Sequence, residues 1–211
     1  FILPDGFSLE QAEYCREYLT ILKDGYVTCA SVNPAISNVA LAAIVTGKSP
    51  YLTGITERGV KAPAYQDIFD YALSKDKSVV YIEGNGNLIV TNIAPIYNLP
   101  DFDGYTDSNV YNSALTALEG DPDLIFVHFH GIDDVNHEYS PISEKAREKI
   151  IEIDGYIQQL VAQFEGVVII VPDHGAVTYY NEESAPKGKH GIFEKDDMLI
   201  PYYIIDTEEL D

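Results

Sequence analysis

The sequence predicts an α/β fold, a doubly wound, mostly parallel sheet with helices on both faces. Two observations carry this expectation. Helical and strand-like patterns alternate from end to end of the 211 residues, and Leu124–Phe129, apolar except for His128, and the unbroken apolar run Val167–Val171 are of the kind buried on both faces. In such a sheet, ligands are expected beyond the carboxyl ends of the strands.

Each element has its own warrant. Phe1–Leu3 is a short apolar run. Ser8, with Gln11 as its capping-box partner, opens a helix expected from Leu9 to about Lys23, and Gly25 stops it. Tyr26–Ser31 reads as a strand. Ser37–Thr46 is rich in Ala, Leu and Ile and closes on Gly47, so a buried helix is preferred to a strand. Tyr65–Ser74 has amphipathic helical spacing, and Ser78–Ile82 is a β-branched and aromatic strand. Asn85–Asn87 marks a turn, and a Pro- and Asp-rich loop covers Ala94–Gly104. A helix over about Asp107–Leu118 then leads into the first of the two apolar strands, and a long helix over about Ser143–Phe164 leads into the second. Met198–Ile205 supplies the last strand.

With 46% hydrophobic residues and no repeat, linker or low-complexity tract, the chain is expected to form a single domain over residues 1–211. It opens on Phe1, directly on an apolar run, so a truncated N-terminus belongs to that expectation. No apolar run reaches the roughly 18 residues of a membrane span, and no basic region precedes an apolar one at the start. The chain as given is expected to be soluble, without signal peptide or transmembrane segment; compartment and oligomeric state stay open. Thirteen Lys+Arg against 34 Asp+Glu give a formal net charge of −21, which makes nucleic acid and anionic membrane poor general partners. An acidic protein still binds an anionic substrate where metal ions reverse the local field. Cys15 and Cys29 lack metal-type spacing and read as buried thiols.

The histidine distribution is the sharpest feature. His128, His130, His137, His174 and His190 all fall within residues 128–211, near the ends of expected buried strands or in loops. They form three local groups: His128 to His137, which includes Asp133 and Asp134; Asp173-His174-Gly175; and Gly188-Lys189-His190-Gly191. His and Asp are the ligands that Zn²⁺ and similar ions use. An Asp-His pair directly after an apolar strand is an awkward choice for stability alone, because both side chains seek polar partners at a nearly buried position.

These motifs resemble the alkaline-phosphatase-like superfamily, nearest to its type I phosphodiesterase and nucleotide pyrophosphatase branch. That branch carries an Asp-x-x-x-His after a buried strand, then Asp-His-Gly, then Gly-x-His-Gly, and the chain has them in that order as Asp133–His137, Asp173–Gly175 and Gly188–Gly191. The resemblance implies a Ser or Thr nucleophile nine residues before a Thr-Gly; counting back from Thr46-Gly47 gives Ser37. Placed at the opening of a helix, Ser37 would meet free backbone N–H groups and a dipole that favour a phosphoryl oxyanion, the alternative being an ordinary Ser cap. The resemblance also implies a first metal ligand at Asp5, although Pro4 is unusual at the end of an inner strand. Arg58 stands near the position where relatives hold a phosphoryl oxygen with Asn, and a guanidinium could do so by two hydrogen bonds or be a surface charge. Asp134 and Asn136 are expected to orient ligands or to be loop polars. His128 and His130 match no ligand position and are assigned to strand packing or contacts behind the ligands; no third set of metal ligands stands out.

The implied activity is hydrolysis of phosphate diesters or pyrophosphates, taken as small-molecule esters, through a phosphoserine. One metal is expected on Asp5, Asp173 and His174 and the other on Asp133, His137 and His190, Zn²⁺ being favoured and Mn²⁺ compatible. A sulfatase is disfavoured because Cys29-Ala30-Ser31-Val32-Asn33 lacks the Pro and Arg of the sulfatase motif. Phosphonoacetate-hydrolase-like activity, suggested by Ser37-Asn38 and Ile44-Val45-Thr46-Gly47, stays an alternative, as do phosphomonoester hydrolysis and a non-catalytic metal- or phosphate-binding domain.

Overall fold

The computed structural model describes residues 1–209; residues 210–211 of the expected single domain lie outside the described residues. A central sheet of seven strands runs in the order β2-β9-β6-β1-β5-β3-β4. Its members are β1 (Ile2–Pro4), β2 (Val27–Ala30), β3 (Val79–Glu83), β4 (Ile96–Tyr97), β5 (Leu124–Phe129), β6 (Val167–Ile170) and β9 (Leu199–Asp206). The inner pairs β1–β5, β1–β6, β3–β5 and β3–β4 are parallel, and β9 runs antiparallel to both β6 and β2. The sheet is thus mostly parallel, as expected.

Helices cover both faces. Along β5, Ile125, Val127 and Phe129 join one core together with Ala12, Cys15, Val110, Ile132, Ile150, Ile153 and Ile157, whereas Phe126 joins a second core with Val39, Leu41, Ile55 and Phe69. The strand's two-residue period therefore divides its side chains between two helical layers. The first layer holds α1 (Leu9–Cys15), α5 (Asp107–Leu118), α6 (Gly131–Tyr139) and α7 (Glu144–Val161); the second holds α2 (Ser37–Thr46) and α4 (Ile68–Leu73), with α3 (Pro50–Thr53) packed on α2. The helix α7 starts where Ser143 accepts from the Ala146 N–H, and it buries Ala146, Ile150, Ile153, Ile157 and Leu160 at helical spacing.

Several elements depart from expectation. The first helix stops at Cys15 and passes through a 3₁₀ turn at Arg16–Tyr18 rather than continuing to Lys23. The reason is tertiary: the Asp154 carboxylate, buried on α7, accepts from the backbone N–H groups of Thr20, Ile21 and Leu22, which a helix would have used internally. The alternation also breaks after β6. A two-stranded antiparallel hairpin, β7 (Val177–Tyr180) and β8 (Pro186–Lys189), and a single helical turn α8 (Lys195–Met198) come before the antiparallel β9. Pro4 fits an inner strand because the ladder on its side has ended. Asp5 N–H still donates to Phe129 O at 2.9 Å toward β5, while β1 and β6 pair only at Ile2 and Ile170.

Candidate metal centre

The carboxyl ends of β1, β5 and β6 meet at one place in the middle of the sheet, and each is followed by polar residues. Asp5 follows β1, Asp133 and His137 lie on α6 just after β5, and Asp173 and His174 follow β6. The sequence had left Asp133–His137 without helical structure. As a helix, its four-residue spacing stacks the two side chains on one face, with His137 Nε2 at 3.3 Å from Asp133 Oδ2. His190 arrives from the loop after β8, where Asp197 accepts from the N–H groups of Gly191, Ile192 and Phe193 and so fixes the turn.

His174 sits at the centre and is fully buried. Its Nε2 lies 3.1 Å from Ser37 Oγ, 3.3 Å from Asp173 Oδ2 and 3.5 Å from Asp5 Oδ1, and its ring stacks on that of His190 at 3.9 Å. Asp133 Oδ2 is 4.0 Å from His190 Nε2. The structure therefore brings together Asp5, Asp133, His137, Asp173, His174, His190 and Ser37. The tightest donor sets are Asp5, Asp173 and His174, and Asp133, His174 and His190; His137 reaches Asp133 but belongs to neither set.

The three imidazoles share one arrangement. The Nδ1 of His137, His174 and His190 each faces a backbone carbonyl, of Gly188 at 3.0 Å, Gly175 at 2.8 Å and Ala35 at 2.9 Å. A proton on Nδ1 donated to that carbonyl leaves each Nε2 lone pair aimed at the carboxylates, the orientation metal-binding histidines take from their outer partners. Among the described residues Asp5 Oδ1, Asp133 Oδ1 and Asp173 Oδ2 are buried without a hydrogen-bond donor. Buried anionic oxygens with no donor require a cation or a proton.

The electrostatics agree. Burial and the neighbouring Asp173 and Asp133 push the Asp5 carboxyl well above its usual range. Burial also pushes Asp133 up, but the His137 hydrogen bond and the facing His174 and His190 outweigh it and hold that carboxyl well below the usual range. Burial alone would lower His174, yet Asp173, Asp5 and Asp133 around it carry it up to about 9. His190 moves the other way, lowered by its burial and by His174. A divalent ion bound among these groups would have to displace their protons.

Ser37 occupies the first turn of α2, whose cap residue is Ile36, and its hydroxyl bonds His174 rather than its own helix. The ordinary-cap alternative is thereby set aside. Arg58 lies at the mouth of the site with its guanidinium 3.1 Å from His190 Nε2. Its loop is tied down by buried Asn38, whose Nδ2 donates to Glu57 O at 2.9 Å and Val60 O at 2.8 Å. Asn136 is fully buried, donates to Gly6 O at 2.9 Å and accepts from Gln11 Nε2 at 2.8 Å, so it joins α6 to the Asp5 turn; Asp134 is exposed. Sequence reasoning missed Asn38 as an anchor, Asp197, and Glu83, whose signal was a carboxylate closing an apolar strand.

Asp5, His128 and His130 also bring potential donor atoms close together, where the sequence suggested no third set. Glu83 backs the two histidines, and although burial pushes this carboxyl up, His128 and His130 hold it well below the usual range.

The fold, a mostly parallel α/β sheet covered by helices, is similar to that of the alkaline-phosphatase-like superfamily. The family model described as type I phosphodiesterase / nucleotide pyrophosphatase matches residues 96–191, a segment holding all three motif blocks read from the sequence. Over 86 residues the chain is 28% identical to the human catalytic subunit of GPI ethanolamine phosphate transferase 3, a match covering 40% of this chain and 8% of that protein. Phosphonoacetate hydrolase from Sinorhizobium meliloti 1021, in complex with phosphonoformate, superposes with a TM-score of 0.65 at 14% identity, over 88% of this chain and 58% of that one. Murine ectonucleotide pyrophosphatase / phosphodiesterase 5, in an inactive form with AMP, gives 0.63 at 16% identity, over 86% and 57%. The chain thus spans little more than half the length of these structural relatives. No helix among the described residues is long and apolar enough to cross a membrane.

Proposed function

We propose that the chain is a metal-dependent hydrolase that cleaves phosphate diesters or pyrophosphates through a phosphoserine on Ser37. The observation carrying this reading is the convergence of the Ser37 hydroxyl, three aspartates and three imidazoles, with His174 Nε2 within 3.5 Å of Ser37, Asp173 and Asp5. Asp5, Asp173 and His174 would hold one divalent ion, and Asp133 and His190 the other, with His137, which reaches Asp133, completing that set. When bound, such ions supply Lewis-acid charge that makes a hydroxyl nucleophilic at neutral pH and neutralises phosphoryl oxygens. Zn²⁺ suits the nitrogen ligands, and Mn²⁺ is compatible with the carboxylates.

The chain's own groups supply the rest. Ser37 Oγ attacks phosphorus in line with the leaving oxygen, forming its own bond to phosphorus as the ester bond breaks. Water then attacks the phosphoserine and restores the hydroxyl. The first turn of α2 offers backbone N–H groups to the phosphoryl oxygens. Arg58 turns from His190 to donate two N–H groups to the same oxygens, as its planar fork allows.

The test compares kcat/KM for a bis-aryl phosphate and the matching mono-aryl phosphate with metal-loaded protein at one pH. The diester is expected to be preferred. A tenfold preference for the monoester, about 1.4 kcal/mol of transition-state binding, moves the chain to monoester chemistry. Ser37→Ala is expected to lower kcat at least about a thousandfold with metal content and melting temperature retained; unchanged kcat removes Ser37 from the mechanism.

A further inference from the structure

His128, His130 and Glu83 take no part in the two-ion reading, yet they form a connected polar group in the sheet. His128 is fully buried in β5, with Nε2 at 3.2 Å from Asp5 Oδ2 and Nδ1 at 3.1 Å from Glu83 Oε2. His130, at the end of the same strand, places Nδ1 3.7 Å from Asp5 Oδ2 and its Nε2 against Glu83 Oε1. The rings stack at 4.1 Å. Glu83 also accepts from Tyr81 Oη at 2.5 Å and Gly84 N–H at 2.9 Å, so the carboxylate has no freedom to turn away.

This arrangement fixes two tautomers at once. With Glu83 accepting from both far ring nitrogens, His128 carries its proton on Nδ1 and His130 on Nε2. The lone pairs left over, on His128 Nε2 and His130 Nδ1, both point to Asp5 Oδ2. A carboxylate behind each imidazole and a lone pair in front is the pattern of metal-binding histidine. The spacing fits as well: bonds of about 2.0–2.2 Å in a tetrahedral site set donors roughly 3.3–3.6 Å apart, and the two distances to Asp5 Oδ2 are 3.2 and 3.7 Å. His130 is the side of the group open to solvent, with 18% of its side chain exposed.

We propose that Asp5, His128 and His130 form a third divalent-cation site, with Glu83 orienting both imidazoles and Asp5 bridging to the Asp173–His174 group through its other oxygen. The site goes beyond the two-ion reading and rests on it only in sharing Asp5. The competing account is a network of ion pairs that binds no metal.

Elemental analysis of chelator-stripped, zinc-reloaded full chain separates the two accounts. Wild type is expected to hold one more ion per chain than His130→Gln, and one more than His190→Ala. Equal metal content in wild type and His130→Gln overturns the third site, and the His190→Ala result then reports separately on the two-ion reading. Loss of an ion in His130→Gln but not in His190→Ala supports the third site and counts against the other. Should His130→Gln fail to fold, anomalous scattering at the zinc edge from wild-type crystals decides: a peak between Asp5, His128 and His130 supports the site, and none there overturns it.

Discussion

His174 shows how one side chain can be read three ways at the residue scale. As a core residue it would be a poor choice, because its burial is complete and both ring nitrogens need partners. As an ion-pair partner it is protonated up to about 9 by the surrounding carboxylates. As a metal ligand it gives up that proton, and the Gly175 carbonyl keeps the ring in the same orientation. Glycines around it are equally constrained. Gly6 has φ +73°, and a Cβ there would lie 2.8 Å from Asp133 Cβ. Gly6→Ala is therefore expected to displace Asp133 and destabilise the chain by about 1–3 kcal/mol. Chemical denaturation together with metal content is the check; wild-type values for both would show that the Asp5 turn and α6 are not in contact in solution.

The site at the level of elements depends on how α6 packs beneath the β7–β8 hairpin. Gly188 lies against the backbone of α6, and a Cβ added there would come 2.5 Å from Asn136 O. Gly188→Ala is expected to lift the hairpin from α6 and cost about 1–3 kcal/mol, and on the proposed two-ion site the ion assigned to His190 is expected to be lost more readily than the one assigned to Asp173. Stepwise chelator titration would show this as two separated release phases where wild type has closer ones. The helix α1 offers a different measurement. Cys15 is fully buried at its end, and burial pushes the thiol up to about 11. A thiol raised in the folded state contributes stability that is whole below about pH 9 and is lost as pH rises through about 11. Native protein is expected to resist alkylation at Cys15 at neutral pH while the half-buried Cys29 is modified; rapid modification of Cys15 would mean that α1 opens locally.

Charge is the decisive property of the whole molecule. A formal net charge of −21 opposes the compact state, and three of the carboxylates concerned are packed within one buried cluster. Divalent ions bound only by the folded chain stabilise it by about 2.7 kcal/mol at a hundredfold excess over Kd, which shifts the melting temperature of a domain this size by several degrees. Chelator-treated protein is expected to melt several degrees below zinc-loaded protein, and added salt is expected to narrow that gap by screening the carboxylates. Identical melting curves with and without zinc would argue against any metal centre built on this cluster.

Much of this protein was legible before folding was considered. The largely apolar runs point to a parallel sheet, because a strand covered on both faces is mostly apolar, and Ser37–Thr46, Asp107–Leu118 and Leu124–Phe129 appear with the expected boundaries. The Asp-x-x-x-His, Asp-His-Gly and Gly-x-His-Gly blocks name most of the cluster, since those residue types at strand ends are costly without a partner. Tertiary structure alone decided the rest. Asp154 truncates α1 by taking backbone N–H groups from 132 to 134 residues away, and no local pattern encodes such a bond. Glu83 reaches His128 and His130 only because β3 pairs with β5, 45 and 47 residues along the chain. Local propensity and periodicity are properties of neighbours in sequence, whereas a ligand's orientation is set by whichever carbonyl or carboxylate the sheet order brings to its far side.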